Sequence, residues 1–514
     1  MIRRHHAGGN LRVMPTSLTP FSVQCPKASV RAVDHDMRCT RPRSFDYNLV
    51  VVGAGSAGLV SAYIAAAAKA RVAIVESDQL GGDCLNTGCV PSKALIHSAR
   101  VLKDAAAAQG LGLRGRLTAD FPEIMARVQR VIARVAPHDS AERYRGLGVD
   151  VVMGPARIVD PWTVEVADRR LVSRNIVIAT GAEPMMPAIP GLDQVSPLTS
   201  ETVWSLTEQP GTFLIVGGGA IGCELAQSFA RLGIRTIMLE TAPRLVMRED
   251  TEVSDAVRQA LVADGVEIKT GIAIERFEKE EGQCTVRLVD GSLIPFDRVL
   301  MATGRRPRTS GFGLEELGLL DGEKLVVDRQ LRTRLPNIFA AGDVLGELQF
   351  THAASQYAWF ASVNALFGGL KRWNADLSVF PSVIYTDPEV ARVGLTEQEA
   401  QKQNIPHEIV RFDLAELDRA ITDGANAGFI KVLTVPGKDR ILGVVIVASR
   451  AGDMLAEFTL AMKHNLGLRA ILQTIHPYPG WTEANKAVAG EWQKVHTPAW
   501  ALALSKRWLQ WLRA

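Results

Sequence analysis

The stretch Leu49 to Ala68 holds twenty residues without a charge and on length alone would suit a membrane span. Gly53, Gly55 and Gly58 interrupt it at turn spacing, directly after a Val-rich segment. That pattern predicts a strand, a tight turn and a helix in a soluble core. A second strand, Arg71 to Glu76, follows. The same order recurs from Thr212: an apolar strand, then Gly217, Gly219 and Gly222, a helical stretch, and a strand ending at Glu240. In both units the acid stands 23 positions beyond the first glycine.

Between these units, Ala94 to about Tyr144 reads as two helices interrupted around 110–122, and Val151 to Asp168 reads as short strands. Asn175 to Gly181 and Asp297 to Gly304 each bring the chain back to a sheet. Pro184, Pro187 and Pro190 mark a linker between the units. Ile338 to Asp343 is a short strand ending in Gly342-Asp343. From about Val379 the texture changes to antiparallel strands and amphipathic helices. The fold expected is α/β, with two Rossmann-like dinucleotide-binding domains and an α+β C-terminal domain. The boundaries expected are an extension over 1–44, a first domain over 45–190, a second over 191–310, a segment completing the first over 311–378, the C-terminal domain over 379–490, and a tail over 491–514. That tail, with Trp492, Trp500, Trp508 and Trp511 among basic residues, reads as an amphipathic helix packing on the body, with membrane-surface contact as the alternative.

Composition narrows the class. A chain of 514 residues with a formal charge of +3 and dispersed basic residues carries no nucleic-acid footprint. Six cysteines in such a length make no secreted disulfide framework, which places the protein in a reducing compartment, the cytoplasm. Residues 1–44 hold eight Lys or Arg against Asp34 and Asp36 and lack apolar periodicity, so they are expected to be disordered. They read as a plain N-terminal extension or, in an organellar protein, a transit peptide. Cys25 and Cys39 within them stand too far apart for a Cys-x-x-Cys metal loop.

The chemistry concentrates in Gly81-Gly82-Asp83-Cys84-Leu85-Asn86-Thr87-Gly88-Cys89-Val90-Pro91-Ser92-Lys93. Two cysteines five positions apart in a Gly-rich turn can meet as a strained, reducible disulfide or a dithiol. Taken alone, the pair is also open to a buried structural role or to half of a metal site, for which no second Cys/His pair follows at a suitable distance. The flanking fingerprints favour redox use. In each of them the first glycine allows the tight turn, the second lets backbone approach a pyrophosphate, the third lets helix pack on strand, and the acid takes a ribose 2′-hydroxyl. Asp343, at a strand end after Gly342, suits a hydroxylated cofactor chain or a helix N-cap. Cys223 and Cys284 read as packing residues. His476, Tyr478 and Glu483 gather in a Pro-stiffened loop near the end of the C-terminal domain.

From Phe45 to about Ala489 the order of motifs resembles the FAD-dependent pyridine nucleotide-disulfide oxidoreductases, a family that includes glutathione reductase, dihydrolipoyl dehydrogenase and mercuric reductase. Cys84-Leu-Asn-Thr-Gly-Cys89-Val-Pro-Ser-Lys93 is similar to its redox-active motif, with Thr87 where Val is usual. The resemblance implies that Gly53, Gly55, Gly58 and Glu76 hold the adenosine half of FAD and that Ala156 lies near the adenine. Thr180 and Gly181 close that unit, and Gly342 with Asp343 meets the ribityl chain. Gly217, Gly219, Gly222 and Glu240, with Gly304 closing the unit, would hold NADH or NADPH. Lys93 and Glu224 would stand at the redox-active edge of the flavin. Electrons would then pass to a Cys84-Cys89 disulfide, with Cys89 as charge-transfer thiolate and Cys84 as exchanging thiol, in a homodimer whose C-terminal domain completes the partner's site.

Departures from the family pattern bear on the acceptor. The acid-base His expected five positions before Glu483 is Tyr478, and His476 falls two residues earlier. Mercuric reductase has Tyr in this place, but its C-terminal cysteine pair is missing here. The sequence reading is therefore a mercuric reductase-like enzyme with a small-molecule or metal-ion acceptor. The alternatives are a dihydrolipoyl dehydrogenase or other disulfide reductase, and a slow flavin redox sensor. Glu240 favours NADH over NADPH, with Arg244 near enough in sequence to accept a 2′-phosphate.

Overall fold

The computed structural model describes residues 41–513, so Cys25, Cys39 and nearly all of the N-terminal extension lie outside the described residues. Leu49 and three β-branched valines form β1 (Leu49–Val52), buried on both faces. It turns at Gly53 into α1 (Ser56–Ala67), whose Ala57, Gly58, Ala62 and Ala65 face inward, and the chain returns as β2 (Val72–Glu76). Five parallel strands make this sheet, in the order Ile338–Ala340, Ile176–Ile178, β1, β2, Val149–Met153. The order reverses at β1, which opens a crevice beyond the carboxyl ends of the strands.

The cysteine segment folds as a short helix, Gly82–Asn86, followed by α2 (Cys89–Ala107). Beyond it stand two helices where one was expected. Asp120 caps Phe121–Val135 by accepting from the Glu123 N–H, and Ser140 caps Ala141–Gly146 in the same way.

The second unit repeats the first. β3 (Thr212–Val216), α3 (Ala220–Arg231) and β4 (Arg235–Glu240) belong to a parallel sheet ordered Glu267–Thr270, β4, β3, Arg298–Met301, Leu198–Thr199. Phe213 and Phe229 lock α3 to this sheet edge-to-face, with ring centroids 4.6 Å apart. α4 (Thr351–Phe367) then returns to the first unit. Its Ala353, Ala354, Ala358 and Ala361 share a buried cluster with Ala57, Ala62 and Ala65 of α1, and side chains this small bring the two helices close together.

The C-terminal domain is a five-stranded antiparallel sheet, ordered Pro381–Ile384, Glu389–Gly394, Ile441–Ala448, Phe429–Thr434, Glu408–Asp413. The helix Ala451–Lys463 and α5 (Glu483–Val495) cover one face. Buried ion pairs tie this domain to the second unit. Lys431 Nζ meets Asp250 at 2.7 Å, Glu397 at 3.1 Å and Glu252, and so fills the one carboxylate cluster among the described residues compact enough for a metal ion. Arg231 bridges Asp264 at 2.7 Å and Asp387 at 2.9 Å.

The tail is helical as expected, in α6 (Ala499–Trp511), but it does not pack on the body. Trp492 is buried within α5, whereas Trp500, Trp508 and Trp511 are 71%, 56% and 66% exposed and no residue of α6 is buried. The segment lies beyond the sheet and helices that could cover it. Among the described residues, no helix is long and apolar enough to cross a membrane.

Candidate functional site

A cavity of about 1100 Å³ runs from the crevice of the first sheet to that of the second. The two glycine loops that flank it are nearly superimposable in their constraints. Gly53 has φ +104° and Gly217 φ +115°, and a Cβ at either would stand 2.3 Å from a carbonyl oxygen of the neighbouring strand's extension, Ala179 or Ala302. A Cβ on Gly58 or Gly222 would come within 1.8 or 2.0 Å of the Gly53 or Gly217 oxygen, so only glycine lets each helix start this close to its strand. The acids are also held alike. Glu76 accepts from the Ala54 N–H at 2.7 Å and from Ser77 and Asp78, and Glu240 accepts from the N–H groups of Gly218 at 2.5 Å and Ala242 at 2.7 Å.

Of the residues expected to hold cofactor, Gly53, Gly55, Glu76, Lys93, Ala156, Thr180, Gly181, Gly219, Gly304 and Asp343 line this cavity. Gly58, Gly217, Gly222, Glu240 and Gly342 do not line it, but the glycines set the turns and Glu240 holds the Gly218 N–H of the loop beside it. Asp343 makes no side-chain hydrogen bond among the described residues, and burial pushes its pKa up to about 6. A carboxylate this poorly partnered, facing the cavity between two such loops, fits a hydroxylated ligand chain that donates to it. Arg244 turns away from any phosphate role, because its guanidinium donates to the carbonyls of Glu249 and Met247 and to Gln398.

Cys84 and Cys89 are both free thiols here, the dithiol rather than the disulfide of the pair. Cys89 opens α2, where the helix N-terminus favours a thiolate. The hydrogen bond from Cys84 draws its pKa down to about 6, assisted by Thr351, whose Oγ1 lies 3.3 Å from Cys89 Sγ, and by the charge of Lys93. Cys84 moves the other way. Donating that hydrogen bond and burial both push its thiol far up. The two sulfurs also see different spaces: both border the large cavity, but Cys84 alone also faces a second one of about 400 Å³, walled by Tyr63, Val135, Asp139, Arg143 and Thr351.

Lys93, one turn along α2, pairs with the buried Glu224 of α3 at 2.9 Å. The other Glu224 oxygen accepts the Tyr385 N–H at 2.9 Å, and the Lys93 ammonium sits 4.3 Å from the Tyr385 ring centroid. All three domains therefore meet at this ion pair. Arg305, from the return of the second unit, binds Asp83 and the Ala182 carbonyl and braces the cysteine turn. Thr351, Tyr385 and Arg305 carry no spacing signal and were not foreseen, since each reaches the site only through tertiary packing.

The C-terminal loop is placed elsewhere. His476 is locked, with Nδ1 on the Thr474 carbonyl at 3.0 Å and Nε2 on Glu457 at 2.9 Å. Tyr478 is 71% exposed and donates to Asp418 at 2.9 Å, which pushes its phenol pKa up. Glu483 Oε2 is buried with no hydrogen-bond partner among the described residues. None of the three lines either cavity, so one chain alone does not bring them to Cys84.

Comparison with known proteins bears directly on this architecture. Residues 47–358 match the pyridine nucleotide-disulphide oxidoreductase family, and residues 380–489 match its dimerisation domain. The chain is 34% identical to a dihydrolipoyl dehydrogenase of Chlamydia pneumoniae over 85% of its length and 95% of the relative's. It is 35% identical to a mercuric reductase of Streptomyces lividans over 86% of its length and 95% of the relative's. Among solved structures, the HOCl-induced flavoprotein disulfide reductase RclA of Escherichia coli superposes with a TM-score of 0.78 at 27% identity, covering 86% of this chain and 99% of that one. With two dinucleotide-binding units, a cysteine pair at their junction and a dimerisation domain, the chain belongs to the pyridine nucleotide-disulphide oxidoreductases, enzymes that use FAD and NAD(P)H.

Proposed function

We propose that this enzyme delivers the electrons of NADH to a soft, thiophilic metal ion held at Cys84 and Cys89, in the manner of a mercuric reductase. FAD, bound by the Gly53 loop, Glu76, Ala156, Thr180, Gly181 and Asp343, supplies the two-electron link between nicotinamide and sulfur. Glu240 and the Gly217 loop hold the nicotinamide cofactor, and Lys93 with Glu224 fixes the wall between the two cofactor positions. Cys89 stores its negative charge facing the large cavity, and Cys84 keeps its proton until the metal ion enters from the 400 Å³ cavity and binds its sulfur, which displaces that proton to solvent. One NADH oxidised to NAD⁺ releases one proton and two electrons, which reduce one mercuric ion to the metal.

The observation that carries this reading is the state of the C-terminal loop. Thiol-disulfide exchange with an organic disulfide wants a base near neutral pKa to take and return the Cys84 proton. His476 has both nitrogens engaged, and the Tyr478 phenol is held above its ordinary pKa by Asp418. Two soft sulfur ligands for a metal ion need no such shuttle once deprotonated. The solved relative RclA has also been crystallised as a Cu(II) complex. Tyr478, exposed on the dimerisation domain, completes the partner's site in a homodimer with two shared centres. Anaerobic NADH oxidation by one holoenzyme preparation, with mercuric ion and with lipoamide as acceptors, tests the proposal. Faster turnover with lipoamide would overturn it.

A further inference from the structure

The helix α6 stands outside everything the electron relay requires. It lies beyond the residues that match the family, and its thirteen residues leave Trp500, Leu502, Leu504, Trp508, Leu509 and Trp511 in solvent. Projected at about 100° per residue, the Trp and Leu side chains occupy roughly 200° of the circumference, and Lys506, Arg507, Gln510 and Arg513 share the remainder. The rings of Trp508 and Trp511 lie together on the apolar side, with centroids 5.0 Å apart. α5 is anchored by the buried Trp492, and the chain breaks at Thr497-Pro498 before α6 begins, so the exposed helix projects from a fixed base.

We infer that α6 is an interfacial membrane anchor, lying flat on an anionic lipid surface. Three observations select this occupant over a second protein. A helix seated on a protein buries a stripe of roughly 100°, and here the apolar arc is about twice that, which suits a medium that can close around it. Basic side chains border the apolar arc, where their stems run along acyl surface while the charges reach headgroups. Lys494 is taken up by Glu491 at 2.6 Å, but residues 498–513 have Lys506, Arg507 and Arg513 and no acid, so α6 complements negative charge alone. Thirteen residues make a helix of about 20 Å, too short to cross the hydrocarbon core, so the helix lies in the interface plane and tryptophan sits at its preferred depth.

The full-length FAD-loaded enzyme is mixed with vesicles of phosphatidylcholine alone or with roughly a third phosphatidylglycerol, and the bound fraction is read by co-sedimentation. Binding to the anionic vesicles should be about a hundredfold tighter, from a factor of about five for each of Lys506, Arg507 and Arg513, and should weaken in high salt. The triple variant Trp500→Ser, Trp508→Ser, Trp511→Ser should lose binding to both vesicles while keeping FAD content and NADH oxidation. Lys506→Glu, Arg507→Glu, Arg513→Glu should lose the anionic preference with the apolar face untouched. Equal absence of binding to both vesicle types overturns the inference. So does a wild-type dimer or larger particle that the Trp variant dissociates, because a second copy then covers the helix. Loss of FAD from the Trp variant likewise overturns it, by making α6 part of the folded body.

Discussion

Replacing Thr351 with Val removes one hydroxyl and leaves the shape of α4 almost unchanged, so it isolates how the Cys89 thiolate is held. Cys89 Sγ lies 3.3 Å from Thr351 Oγ1, and with Cys89 ionised the hydroxyl donates. With a pKa of about 6, Cys89 is about 90% thiolate at pH 7. A hydrogen bond to a charged acceptor contributes about 1.5–3 kcal/mol. Cys89 is exposed to the cavity, and Cys84 and Lys93 still lower its pKa, so the net loss is about 1.4 kcal/mol, or about one pKa unit. The midpoint should move from about 6 to about 7, leaving about half the sulfur as thiolate at pH 7. The assay is anaerobic reduction of the holoenzyme with stoichiometric NADH, followed by pH titration of the long-wavelength absorbance that a thiolate beside oxidised flavin produces. Thr351→Ser should restore the wild-type midpoint. A midpoint that Val leaves unmoved, or a wild-type midpoint above about 8, would refute the account of the site.

Three further outcomes follow from the same geometry. Asp343 has a folded-state pKa of about 6, above its unfolded value, so its ionisation costs the apoprotein stability that is intact below about pH 4 and lost as pH rises to about 6. Asp343→Asn should therefore stabilise the apoprotein at pH 7 by about 1–2 kcal/mol, after allowance for solvent reaching the group, while weakening FAD retention. Melting curves that show no gain at pH 7 over pH 4 would count against it. Cys84→Ser should abolish activity and Tyr478→Phe should lower it, and mixing the two chains should raise activity above either parent, since a mixed dimer holds one intact site. Demonstrated subunit exchange without recovery would mean that each site is built within one chain. With Arg244 committed to backbone carbonyls, kcat/KM should be larger for NADH than for NADPH, and Glu240→Gln should narrow the gap; a larger value for NADPH in the wild type would reverse the cofactor assignment.

The repeat of strand, three glycines, helix and acid was legible because local sterics dictate it. Gly53 and Gly217 sit at positive φ under a carbonyl, and Gly58 and Gly222 have no room for a methyl group, so the chain itself must carry glycine there. The closeness of the cysteines was legible for the same reason, since five positions in a turn cannot put them far apart. Their difference was not. Cys89 is the acidic sulfur because it opens α2 and meets Thr351, which is 262 positions away along the chain, with Lys93 one turn further on. Glu224 of the second unit finds its partners in the two other domains, Lys93 of the first and Tyr385 of the C-terminal one, and the fate of Arg244 was settled by carbonyls that a sequence does not display. The tail shows the limit most plainly. Its pattern fixed a helix with a wide apolar face, but whether the body offers a surface to bury that face depends on where the preceding sheet and helices end in space, and here they end short of it.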